Sequence, residues 1–340
     1  MNRRKTDMKK AISFILCFVM LMGTFCLGAS ALSIESSTDE LNALFLDGEY
    51  EGMDCVYYSP VKKGDTTKYP LFVWLHGNAS GTEPRRQLKY RRFCNWASDE
   101  FQSRFKNAGG CFLFAPRSNG ATNSWSEITT SHLKRMIDAF ISDHKDNIDM
   151  SRIYVSGYSV GADMTWSMLL AYPDFFAAGI PCSAITPPTV AEVSKLRDTS
   201  VWMINCDIDF WAGAKTSAIK PVFNAIKNSS NRKDGVRLTS LSEVVLANGK
   251  KQGSYQQEHY TWETVTYDMH MDDHVTPYRY ATTVDGNGNT ISFDNPEEGV
   301  ISWLSQQTNK KADDNSGSGL KAFFNKIVEF FKSLFRALFG

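Results

Sequence analysis

The chain has 340 residues, 42% of them hydrophobic and eight of them Trp, which is enough to bury one large core. Lys and Arg total 37 against 37 Asp and Glu, a balance that lacks the basic excess of a nucleic-acid binder. None of the seven cysteines is in C-x-x-C spacing, so neither a zinc knuckle nor a disulfide framework is indicated.

In chain order, Arg3, Arg4, Lys5, Lys9 and Lys10 come first, followed by an apolar run from Ala11 to Leu27 and then Ala29-Ser30-Ala31. A basic start, a short apolar run and a small-x-small site make a signal peptide over residues 1–31, with cleavage expected after Ala31. An uncleaved anchor would need a longer apolar run. The bulky Phe25 before Cys26 argues against a lipoprotein site. Removing residues 1–31 leaves a net charge of −4 and five cysteines: Cys55, Cys94, Cys111, Cys182 and Cys206.

Residues 32–307 read as a single domain in which short apolar runs alternate with helical patterns, as an α/β fold with a mostly parallel sheet requires. The predicted strands are Cys55–Tyr58, Leu71–Leu75, Cys111–Ala115, Ile153–Val155, Ala177–Pro181, Val201–Asn205 and Val236–Leu241. The predicted helices are Gln87–Phe105, Ser131–Lys145, Gly161–Ala171, Val190–Leu196, Ser217–Lys227 and Pro296–Gln306.

Leu71–Leu75 runs into His76-Gly77-Asn78, and farther on Arg152–Val155 runs into Gly157-Tyr158-Ser159-Val160-Gly161. A strand, G-x-S-x-G and a helix together describe a nucleophile elbow, in which the glycines make room for a sharp turn that lifts the Ser159 hydroxyl above the sheet edge. The helix that begins there aims its first amides at a developing oxyanion, with Val160 the expected donor. The His-Gly turn upstream is expected to supply the second donor, from Asn78 or Gly77. His76 precedes the serine and is read as structural.

A serine, acid, histidine chain order removes His76, His132 and His144 as bases. The acid is sought at the end of Val201–Asn205, where Asp209 is preferred and Asp207 is the alternative. Three histidines remain as bases: His259, His270 and His274. His259 follows the last predicted strand and a polar loop. His270 and His274 also have the look of a metal pair, but no third ligand is placed and no metal or other cofactor is expected.

At the end, residues 308–319 have the polar, Gly-Ser composition of a flexible linker. Residues 320–340 place Phe323, Phe324, Ile327, Phe331, Leu334, Phe335 and Leu338 at helical spacing, with Lys321, Lys326, Lys332 and Arg336 largely opposite. This cationic amphipathic helix suits an anionic membrane surface, a cell-envelope polymer or a packing partner.

From about Tyr57 to Gln307 the chain resembles secreted α/β-hydrolases of the feruloyl esterase, acetylxylan esterase and polyhydroxybutyrate depolymerase branch, and within it the predicted peptidase or esterase group. The resemblance is carried by Leu75-His76-Gly77, Ala115-Pro116-Arg117, Ile148 to Tyr154, the elbow with Thr165-Trp166, Tyr172 to Ala178, and Leu196 to Trp202. It implies an α/β-hydrolase fold and a serine esterase acting on small-molecule or polysaccharide-linked esters, with peptide substrates as the alternative. The family's Gly-His-x-x-Trp element matches His259-Tyr260-Thr261-Trp262, with Glu258 in place of the glycine, which implies His259 as base. Asn205-Cys206 stands where the family has His-Gly, a departure that motivates a second reading as an inactive binding protein on this scaffold. Ala162 replaces a glycine, and Thr264 to Thr290 looks like an insertion before the final helix.

Overall fold

The computed structural model describes residues 31–33, 36–78, 85–118, 125–244, 257–268, 281–293 and 299–309. Residues 1–30 of the expected leader, His270, His274 and the expected helix over 320–340 lie outside these residues.

Each predicted strand lies within or beside an observed one: β2 (Met53–Tyr58), β3 (Tyr69–Leu75), β4 (Phe112–Pro116), β5 (Ile148–Tyr158), β6 (Ala178–Cys182), β7 (Ser200–Cys206) and β8 (Val236–Leu241). Among the described residues three more strands, β1 (Leu46–Tyr50), β9 (Ala281–Asp285) and β10 (Thr290–Ile291), bring the sheet to ten strands in the order β1-β2-β4-β3-β5-β6-β7-β8-β9-β10. The stretch from β4 to β8 is parallel, and antiparallel strands extend it at both edges. Every residue of β3, β4, β6 and β7 is buried, as parallel strands covered on both faces must be.

The strands that sequence periodicity missed are the polar ones. β1 is Leu-Asp-Gly-Glu-Tyr, an edge strand held by a hairpin whose Glu51 and Gly52 both have positive φ. β9 pairs with β8, and the Thr239 and Thr283 hydroxyls meet at 2.6 Å. The end of the segment that reads as an insertion, Ala281–Asp285 and Thr290, therefore extends the main sheet.

The α-helices are α1 (Thr38–Ala43), α2 (Arg86–Lys89), α3 (Asp99–Ser103), α4 (Thr130–Asp143), α5 (Val160–Ala171), α6 (Thr216–Ser229), α7 (Trp262–Thr266) and α8 (Val300–Ser305). The long helix expected over Gln87–Phe105 is broken: α2 gives way to a 3₁₀ stretch, and Ser98 starts α3 by accepting a hydrogen bond from the Phe101 amide. Val190–Leu196 is reduced to a 3₁₀ turn at Glu192–Lys195. The domain's packing continues to Asn309, whose amide donates to the Ser151 carbonyl at 2.7 Å.

Alternation along β3 builds two cores. Leu71, Val73 and Leu75 join Phe112, Phe114 and Phe140 on one face. Phe72 and Trp74 face an aromatic layer in which Trp96 stacks on Phe72 at 4.3 Å and on Trp262 at 6.3 Å. The Trp96 indole N–H also donates to the Val265 carbonyl, so this layer anchors α7. The five cysteines among the described residues are buried and free, the ordinary state of a small apolar side chain in a core.

Trp96→Ala is expected to lower unfolding free energy by about 3–5 kcal/mol, measured by urea denaturation at neutral pH.

Candidate active site

The loops after β3, β5, β6 and β7 gather at the carboxyl ends of the parallel strands, where open α/β sheets bind ligands. β5 ends at Tyr158 and α5 begins at Val160, leaving Ser159 to make the whole turn at φ 58°, ψ −125°. A left-handed conformation at a non-glycine residue costs about 1–3 kcal/mol and is held by its surroundings. Here the Ser159 amide donates to the Cys182 carbonyl at 3.0 Å, and the Ser159 carbonyl accepts from Ala162 and Asp163.

The two flanking glycines are required by contact. A Cβ on Gly157 would lie 2.2 Å from the Gly161 carbonyl oxygen, and one on Gly161 would lie 2.1 Å from the Leu75 carbonyl oxygen. The start of α5 is thus pressed directly on the end of β3 and on its following turn. Gly77 is equally confined, since its Cβ would fall 2.6 Å from the Tyr158 ring.

His259 ends a short 3₁₀ turn, and its Nε2 lies 2.9 Å from Ser159 Oγ. Its Nδ1 lies 2.8 Å from Asp209 Oδ2. A carboxylate only accepts, so Nδ1 carries the proton, and the free Nε2 accepts from the serine hydroxyl. All three groups are buried, Asp209 completely. The second oxygen of Asp209 accepts from the Trp211 amide at 2.9 Å. Asp207 stands apart from this chain, exposed and accepting from the Ser240 hydroxyl.

His259 is braced from behind. Trp262 enters the aromatic layer three residues beyond it, and Thr261 Oγ1 meets Ser183 Oγ at 3.0 Å across 78 residues of chain. Nothing in the sequence around Ser183 signals that contact. Asn205 is buried and donates to the Ala214 carbonyl at 2.9 Å, closing the loop that carries Asp209.

Val160 is the first residue of α5, so its amide has no acceptor within the helix. Gly77 is buried beside Tyr158 and Asn78 is exposed. His76 holds this turn: its Nδ1 donates to the Gly77 carbonyl at 2.6 Å and its Nε2 accepts from the Ser118 amide at 3.1 Å. The Trp125 indole donates to the His76 carbonyl at 2.8 Å. Sequence reasoning missed Ser118 and Trp125, because only folding brings them to His76. Burial lowers the His76 pKa to about 4. Among the described residues no group of three His, Cys, Asp or Glu is placed to hold a metal ion.

Two tests follow from this geometry. Gly161→Ala should cost about 3 kcal/mol or more in stability, read from the urea midpoint, because the added methyl meets backbone. The His76 pKa is depressed on folding, so between about pH 4 and 6.5 the unfolded chain binds the extra proton and stability falls as pH falls. At pH 4.5 this group should remove about 2 kcal/mol of the stability present at pH 7, a loss that His76→Gln should not show in the same titration.

No family model matches the chain. It is 28% identical over 185 residues to poly(3-hydroxyalkanoate) depolymerase C of Paucimonas lemoignei, covering 53% of this chain and 40% of that protein. It is 36% identical over 88 residues to acetylxylan esterase A of Emericella nidulans, covering 26% of each. The chain thus spans less than half the length of these curated relatives. Among solved structures, a thermostable esterase superposes with a TM-score of 0.53 at 21% identity, over 79% of this chain and 64% of that one. Two of the three esterase types that the sequence resembles therefore appear among its relatives. The strand order, the elbow at Ser159 and this superposition together identify the chain as having the α/β-hydrolase fold.

Proposed function

We propose that the protein is a serine hydrolase that cleaves carboxylic esters through an acyl-enzyme. The observation that carries this reading is the unbroken hydrogen-bonded chain from Ser159 Oγ through the His259 ring to Asp209. His259 Nε2 takes the hydroxyl proton as Ser159 Oγ attacks the ester carbon, and the carbonyl oxygen becomes an oxyanion. Asp209 keeps the proton of Nδ1 in place and stabilises the imidazolium. The amides of Val160 and of Gly77 or Asn78 bind the oxyanion. Collapse breaks the carbon to alkoxy bond, the leaving oxygen takes the proton from Nε2, and water repeats the sequence on the acyl-enzyme.

The substrates we propose are acetyl or feruloyl esters of plant polysaccharide, in keeping with a relative named for acetylxylan. Secretion is part of the proposal and rests on the leader over residues 1–31, with residues 320–340 as a contact to the cell envelope or a membrane surface. No helix among the described residues is long and apolar enough to cross a membrane.

Ser159→Ala should lower kcat/KM on p-nitrophenyl acetate by about 10³-fold or more, and Asp209→Asn should lower kcat by roughly 10³ to 10⁴. Unchanged turnover in Ser159→Ala would sink the proposal. Stoichiometric labelling of the wild-type protein by a fluorophosphonate, absent in Ser159→Ala, excludes the reading as an inactive binding scaffold.

A further inference from the structure

Among the described residues five large hydrophobic side chains are exposed, and three of them flank one buried acid. Asp209 is 0% exposed, whereas Ile208 is 57%, Phe210 38% and Trp211 44% exposed. Apolar side chains held in water at one spot signal a ligand surface. We infer that Phe210 and Trp211 form a shelf that seats the alcohol half, the sugar ring, of the ester proposed above.

The inference rests on the serine-hydrolase reading above, and the position of the shelf follows from it. The leaving oxygen takes its proton from His259 Nε2, so the group bonded to that oxygen emerges beside the His259 ring. Phe210 packs edge-on to that ring at 5.6 Å, and Trp211 lies against Phe210 at 5.0 Å. The carbonyl oxygen of the ester turns away from the shelf, toward the amides of Val160 and of Gly77 or Asn78.

The shelf is rigid before any ligand arrives. The loop is closed at its ends by Asn205 on the Ala214 carbonyl, and the Trp211 amide is held by Asp209 itself. Gly213 presses on the neighbouring turn so closely that a Cβ would lie 1.9 Å from the Ile185 carbonyl oxygen. Rigid aromatic faces bind at low entropic cost.

The chemistry of the occupant follows from the exposure. A purely aliphatic alcohol would be better bound by a walled pocket that removes it from water on all sides. A half-exposed aromatic face suits a ligand with one apolar face and a polar rim, which a pyranose ring has: C–H groups against the shelf and hydroxyls toward water.

The test compares an acetylated methyl pyranoside with ethyl acetate, two esters that share the acyl group and differ in the alcohol. Trp211→Ala should lower the ratio of their kcat/KM values about tenfold, or about 1.4 kcal/mol, chiefly through KM for the sugar ester. Inhibition by the free methyl pyranoside should weaken in parallel, Trp211→Phe should keep most of the ratio, and Leu46→Ala, exposed on edge strand β1, should keep all of it. An unchanged ratio in a Trp211→Ala protein that still labels with fluorophosphonate overturns the shelf and leaves the esterase reading intact. A wild-type protein that cleaves ethyl acetate but not the pyranoside overturns the sugar assignment. A loss that instead tracks acetyl against butyryl esters of ethanol places the residues on the acyl side and overturns the inference. Absence of both ester cleavage and labelling in the wild type removes the esterase reading, and the shelf with it.

Discussion

The first turn of α5 lies directly on the backbone at the end of β3, and the rest of the site depends on that contact. With 2.1 Å between a hypothetical Gly161 Cβ and the Leu75 carbonyl oxygen, no side chain fits between helix and strand. The approach brings the Val160 amide and the turn after β3 to the same small volume above the sheet. It also leaves a single residue, Ser159, to reverse the chain, which is why that residue occupies a left-handed conformation. Strain at the serine and the absence of side chains at Gly157 and Gly161 are two sides of one packing constraint.

The other components are held by elements that reach the same edge from distant parts of the chain. His76 works as a bracket between Gly77 and Ser118, and burial keeps it uncharged. A charged ring there would lose the acceptor that Ser118 needs. His259 is placed by the segment beyond it: Thr261 bonds Ser183, and Trp262 is packed among Trp74, Phe93 and Trp96. The His-x-x-Trp spacing thus has a mechanical meaning, because the indole sits in the core and the imidazole emerges above it. Asp209 is positioned in a comparable way. Asn205 closes its loop, Asp209 turns inward, and its neighbours turn out to water.

The fold was largely legible in the sequence because buried parallel strands are continuous apolar runs, and Leu71–Leu75 and Val201–Asn205 show this plainly. Ala281–Asp285 did not, because Thr and Asp carry no apolar pattern and the strand exists only by pairing with β8. The helix expected over Gln87–Phe105 fails for a local reason that was visible, the Ser98 cap, and for a tertiary one that was not, the fit of Phe93 and Trp96 to the face of β3.

Within the site, the elbow was readable because it is five adjacent residues whose glycines answer to a local steric demand. Asp209 and Asp207 are two residues apart, and the sequence preferred one of them only by analogy with a pattern. The fold separates them by turning one carboxylate into the protein and the other toward Ser240. By itself the sequence determined the order of the buried strands β2 to β8, the serine at the sharp turn and a short list of partners, since those depend on local periodicity and sterics. Tertiary structure alone decided which acid meets His259, what clamps His76 and which side chains stay in water, because each is a contact between segments that only the closed sheet brings together.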